Sequence, residues 1–96
     1  MFIVQIEHEV LNFDSWLKAF ESDPIDRKKA GVRRYSIFQE NDHRNLVIIE
    51  LEFDNLTEAE NICLRLKKMW ERIDVTMLVN PKLRILVRIG QEKIIQ

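Results

Sequence analysis

The sequence predicts an α+β domain of order β-α-β-β-α-β, with one antiparallel sheet covered on a single face by its helices. Three observations carry this. Residues 2–10 alternate, with Phe2, Val4, Ile6, His8 and Val10 on one face and Ile3, Gln5, Glu7 and Glu9 on the other. Ala59, Ile62, Cys63, Leu66, Met69 and Trp70 recur at helical spacing. Two further alternating runs, 46–54 and 83–89, bracket that helix.

Each element follows from local chemistry. After the first strand, "NFDSWLKAFES" changes period: Phe13, Trp16, Leu17 and Phe20 fall on one side of a helix that Asn12 or Asp14 can cap. Pro24 cannot continue that helix but suits the first turn of a second one, capped by Asp23 and ended by Gly31. Asp23 and Arg27, at i and i+4, read as a local cap and ion pair, with a place for Arg27 at the mouth of a pocket as the lesser alternative. "VRRYSIFQE" is a second strand and "LVIIELEFD" a third, joined as a hairpin through "NDHRN". "TEAE" supplies a capping box, Thr57 with Glu60, to the long helix. "DVTMLVNPK" is an apolar link with a turn at Asn80-Pro81, and "LRILVRI" is the last strand. The order is that of the ferredoxin-like split βαβ arrangement.

Composition bounds the rest. The 96 residues make a single domain, 1–96, able to bury roughly 60–65% of its unfolded surface. Apolar residues are 46%, charged residues 32% and the formal net charge −1, so no global field attracts nucleic acid or an anionic membrane. One cysteine, Cys63, rules out an internal disulfide and suits a reducing compartment. The N-terminus lacks the pattern of a signal peptide, and no apolar run approaches the roughly 20 residues of a membrane span. A cytoplasmic protein is expected.

The open sheet face should carry Ile3, Gln5, Glu7, Glu9, Ile48, Glu50, Glu52, Arg84, Leu86 and Arg88, with Glu7 and Glu9 facing Arg84 and Arg88 across the ladder. Pattern alone allows either a solvated face or an interface on which a second sheet packs. RNA-recognition domains share this element order, but their open face presents stacking aromatics. Here the third strand reads "VIIELEF", and Glu50 and Glu52 would repel phosphate.

"HEVLNFDSWLKAFESDPIDRKKAGVRRY", "LVIIELEFDNLTEAENICLRLKKMW" and "NPKLRI" together resemble small proteins of the dimeric α/β-barrel superfamily, which includes antibiotic-biosynthesis monooxygenase-like and cyclase-like members. The resemblance runs from Val4 to about Ile89. It implies a homodimer formed through the open sheet face and a pocket inside each subunit, between sheet and helices. The superfamily includes cofactor-free oxygenases and haem-degrading enzymes, and no cofactor is expected here. The Asn/His/Trp set of the haem-degrading branch has no matching motif, the only histidines being His8 and His43.

His8 should point toward the helices from an otherwise apolar strand face. It is either a bonded core imidazole or a general base or polar anchor in a pocket. Trp16 should sit near it, as core or as pocket wall. If Arg33, Tyr35 and Ile37 point inward, which buries Ile37, Arg33 and Tyr35 could bind a carboxylate or phenolate. Cys63 reads as an inert core thiol. No metal-ligand spacing, nucleophile motif or Gly-rich phosphate loop is present. The expected ligand is a small hydrophobic or aromatic compound. The function classes are a cofactor-free oxygenase, cyclase or isomerase with His8 as base, and a non-catalytic ligand-binding or structural homodimer.

Overall fold

Alternation decides which side of each strand is buried, and the computed structural model, which describes residues 1–72 and 78–96, follows it. The elements are β1 (Phe2–Val10), α1 (Phe13–Glu21), α2 (Arg27–Ala30), β2 (Arg34–Glu40), β3 (His43–Phe53), α3 (Leu56–Arg72) and β4 (Leu78–Val87). The strands form one antiparallel sheet in the order β2-β3-β1-β4. Val4, Ile6 and Val10 of β1 and Val47, Ile49, Leu51 and Phe53 of β3 are buried on one face. Ala59, Ile62 and Leu66 of α3 close over them. Each large apolar side chain fully buried there contributes on the order of 1.5–3 kcal/mol.

The two main helices are seated differently. The stripe of α3 enters the core, whereas α1 buries no residue completely. Phe13, Trp16 and Phe20 of α1 are half-buried and lean on the core edge. Asn12 caps α1, its Oδ1 accepting from Ser15 N at 2.9 Å.

Several local expectations are corrected. Pro24 does not open a helix: Asp26 N donates to Asp23 O at 3.1 Å, so Pro24 occupies the second position of a turn, where its fixed φ is favoured. The short α2 begins at Arg27 behind Asp26, which has φ 52° and caps it. Asp23 still accepts from Arg27 N at 2.9 Å, and the Arg27–Asp23 ion pair forms at 3.5 Å. Gly31 ends α2 with φ 100°, and a Cβ there would collide with the Glu58 carboxylate.

The hairpin is tighter than expected: β3 starts at His43, and only Asn41-Asp42 forms the turn. Asn80-Pro81 lies inside β4, not in a turn. Glu7 pairs with Lys82 and Glu9 with Val79, leaving an extra residue on β4, and Asn80 takes φ 50°. A bulge on an edge strand tolerates both an αL asparagine and a proline that donates no hydrogen bond. The rest of the expected link falls partly on 73–77, outside the described residues.

The α3 cap is also displaced. Asn55 Oδ1 accepts from Glu58 N at 2.8 Å, and Asn55 Nδ2 donates to Glu58 Oε1 at 2.6 Å, so the reciprocal pair is Asn55/Glu58 rather than Thr57/Glu60. Asn55→Ala should therefore lower stability by about 1 kcal/mol in urea unfolding, and Thr57→Ala should be nearly neutral. A larger loss from Thr57→Ala would contradict this cap.

Candidate functional site

Because α1 rests on half-buried aromatics, a cavity of about 520 Å³ remains between it, α3 and the sheet. The floor is Ile6, Ile49 and Leu51, and Leu66, Met69 and Trp70 of α3 form one wall. Trp16 and Phe20 form the opposite wall, and Arg27 contributes to the rim. His8 enters this apolar space from β1 because it occupies a position of the buried alternation.

His8 is 4% exposed, and among the described residues its Nδ1 has no hydrogen-bond partner. Burial lowers its pKa to about 4, and the adjacent Glu9 backbone offsets only part of that shift. The imidazole is therefore neutral at physiological pH. Trp16 meets it edge-on, with ring centroids 5.7 Å apart. The aromatic series continues: Trp16 stacks on Phe20 at 5.3 Å, and Tyr35 meets Phe20 edge-on at 5.3 Å.

The four residues singled out in the sequence are not all brought together. His8 and Trp16 touch the same cavity. Tyr35 pairs with Leu51 and Ile37 with Ile49, so both lie on the helix-facing side, but Tyr35 is half-exposed and reaches Phe20 rather than the cavity. Arg33 is outside it: its Nε donates to Asp54 Oδ2 at 2.7 Å on an exposed edge. Among the described residues the cation at the cavity is Arg27, which the sequence offered first as the partner of Asp23 and second as a residue at a pocket mouth. Cys63 is half-buried, and burial pushes its thiol pKa up, which suits an inert thiol.

The open sheet face carries a lattice of paired side chains. Gln5 Nε2 donates to Glu50 Oε2 at 2.9 Å, and Arg84 Nε donates to Gln5 Oε1 at 2.6 Å. Lys82 faces Glu7 at 3.6 Å, while Arg34 and Arg88 approach Glu52 at 3.8 and 3.5 Å. The expected facing of Glu7 and Glu9 with Arg84 and Arg88 is thus displaced, because the register sets Arg84 opposite Gln5. Glu9 instead lies 3.6 Å from His43. Phe38, opposite Ile48, and Leu86, opposite Ile3, are apolar points on this face.

A structure from Deinococcus radiodurans, named a "putative antibiotic biosynthesis monooxygenase", superposes over 100% of both chains with TM-score 0.71 and 14% identity. A dimeric ferredoxin-like protein from an uncultured marine organism matches 95% of this chain and 97% of its own with TM-score 0.69 and 12% identity. The fold is ferredoxin-like. A NIPSNAP domain protein from Burkholderia xenovorans has the same ferredoxin-like subunit, with TM-score 0.63 and 14% identity over 92% of this chain and 94% of its own. No protein-family model and no curated protein matches the sequence. Among the described residues of the ferredoxin-like subunit, no helix is long and apolar enough to cross a membrane, and no three His, Cys, Asp or Glu side chains gather as a metal-ion site.

Proposed function

We propose that the protein is a homodimer whose subunits each bind a small aromatic or polyketide-like compound carrying a hydroxyl group, with His8 as polar anchor and Trp16 as wall. The observation that carries this reading is the Nδ1 of His8, buried beside an apolar cavity and without a hydrogen-bond partner among the described residues. A buried polar atom without a partner costs about 1–3 kcal/mol, which a ligand that satisfies it recovers. A hydroxyl both donates and accepts, so it suits either neutral tautomer of the imidazole. The single free thiol fits a cytoplasmic location.

The homodimer is supported by the dimeric ferredoxin-like neighbours and by the open face itself. Glu7 and Glu52 are paired with Lys82, Arg34 and Arg88, and Glu50 and Arg84 are hydrogen-bonded through Gln5, so much of the desolvation cost of covering this face is offset within the sheet.

A cofactor-free oxygenase, cyclase or isomerase is the second reading, supported by neighbours named as antibiotic biosynthesis monooxygenases and by an imidazole that is neutral and able to take a proton. Its energetics are harder. Moving a proton from a phenol of pKa about 10 to an imidazole of pKa about 4 costs roughly 8 kcal/mol before the resulting ion pair is counted. Hydrogen bonding has no such cost, so binding is the better-supported role. Tyr35 and Arg33, read from the sequence as anion stabilisers, do not line the cavity, and neither carries the proposal.

The test is calorimetric titration with 2-naphthol and 2-methylnaphthalene, which differ in the hydroxyl. The wild-type protein should bind 2-naphthol about tenfold more tightly, the effect of one good hydrogen bond, and His8→Phe should remove the preference. Equal binding of the two compounds by the wild type, or a preference that survives His8→Phe, would contradict the anchor.

A further inference from the structure

We infer that Arg27 makes this pocket selective for aromatic compounds that carry a carboxylate in addition to the hydroxyl. This rests on the ligand-binding role proposed for the same cavity and names the chemistry at its other end. The Arg27 side chain is only 14% exposed, and it lines the cavity that His8 lines. Its guanidinium carbon lies 4.1 Å from the Phe20 ring centroid and 4.9 Å from that of Tyr35. Nη1 donates to Phe20 O at 2.8 Å and Nε stands 3.5 Å from Asp23 Oδ1, while among the described residues Nη2 has no partner.

A guanidinium, unlike an amine or an imidazole, keeps its charge when buried. Among the described residues the acid beside it is Asp23, at ion-pair distance from one nitrogen and itself about one-third exposed (36%), so compensation from it is partial. The two aromatic faces favour a cation and hold the fork in place, so little side-chain freedom remains to be lost when an anion binds. From the imidazole to the guanidinium the cavity wall runs over Trp16 and Phe20, in centroid steps of 5.7, 5.3 and 4.1 Å. A fused-ring ligand lying along that wall meets a hydrogen-bonding nitrogen at one end and a positive charge at the other. The competing role is a staple, in which Arg27 only ties α2 to α1 through Phe20.

Calorimetric titration of the wild type, Arg27→Met and Asp23→Asn with 2-naphthol and 6-hydroxy-2-naphthoic acid separates these roles. The wild type should bind the acid about tenfold more tightly than the naphthol, with the advantage shrinking as salt is raised. Arg27→Met should abolish the advantage, so that the acid binds no more tightly than the naphthol. Asp23→Asn retains the oxygen that accepts from Arg27 N and removes the competing charge, so it should enlarge the advantage a few-fold. Equal affinities in the wild type, or an advantage unaltered in Arg27→Met, would overturn the inference in favour of the staple. If Arg27→Met does not fold, Asp23→Asn decides, and an advantage no larger than the wild type's overturns it. Acid binding without naphthol binding would sink the His8 anchor but not Arg27, and binding of neither compound would sink both.

Discussion

Replacing Phe38 and Ile48 together by aspartate should convert the protein from dimer to monomer. The two residues are direct partners on β2 and β3, and their register puts them on the sheet face that no helix covers. Phe38 is 48% exposed in the isolated subunit, a large apolar group that a second sheet would cover. In a twofold assembly each substitution occurs on both sides, so four carboxylates would enter the interface. Their effective desolvation penalty is several kcal/mol per ion, enough to dissolve an ordinary dimer contact. The fold should persist, since Phe38 is half-exposed and Ile48 only partly buried in the free subunit. Light scattering coupled to size exclusion should give about twice the 11.6 kDa subunit mass for the wild type and one subunit mass for the variant. A wild-type mass of one subunit, or a variant that keeps the dimer mass, would contradict assembly through this face.

The second large effect is acid sensitivity from one buried imidazole. His8 has a pKa near 6.5 in the unfolded chain and about 4 in the folded one. Between these values the unfolded chain takes up a proton that the native state refuses. Stability present above pH 6.5 is thus lost as pH falls, and the loss is complete below about 4. At about 1.4 kcal/mol per pKa unit, the change from pH 7 to pH 4.5 should cost on the order of 2–3 kcal/mol beyond what the carboxylates contribute. His8→Phe removes the group but keeps a ring against Trp16, so its loss over the same range should be smaller by that amount. Urea unfolding of both proteins at the two pH values checks this, and equal acid losses would show that His8 is not buried as described. At pH 7 the variant should be at least as stable as the wild type, because it deletes a buried nitrogen without a partner.

Much of the fold was legible because it rests on periodicity. The alternation of 2–10 and of Val47, Ile49, Leu51 and Phe53 names the buried sheet face, and the stripe of α3 names what covers it. The misses come where one dipeptide or one polar cluster serves two geometries. Asn80-Pro81 suits a turn, but it equally suits an αL bulge on an edge strand, and that bulge sets which β4 residue meets Glu7. "DNLTEAE" contains overlapping boxes, Asn55 with Glu58 and Thr57 with Glu60, and only the backbone trajectory out of β3 selects the first. At the site, His8 and Trp16 were legible as neighbours because a short loop links β1 to α1. Arg33 was not, because strand periodicity cannot show that Asp54 holds it at an exposed edge. Arg27 was read first as the partner of Asp23, four residues away, and only second as a pocket-mouth residue, since the rings that position it, Phe20 and Tyr35, come from two other elements.

The protein has two histidines, and only His8 touches the cavity, while His43 stands exposed beside Glu9. That contrast allows one measurement to address the pocket directly: nitrogen-15 resonances of the histidine side chains, followed as 2-naphthol is added at pH 7. A hydroxyl seated against His8 should shift its Nδ1 resonance saturably and leave both His43 nitrogens where they were. Saturable binding of 2-naphthol with the His8 resonances unmoved would contradict the anchor.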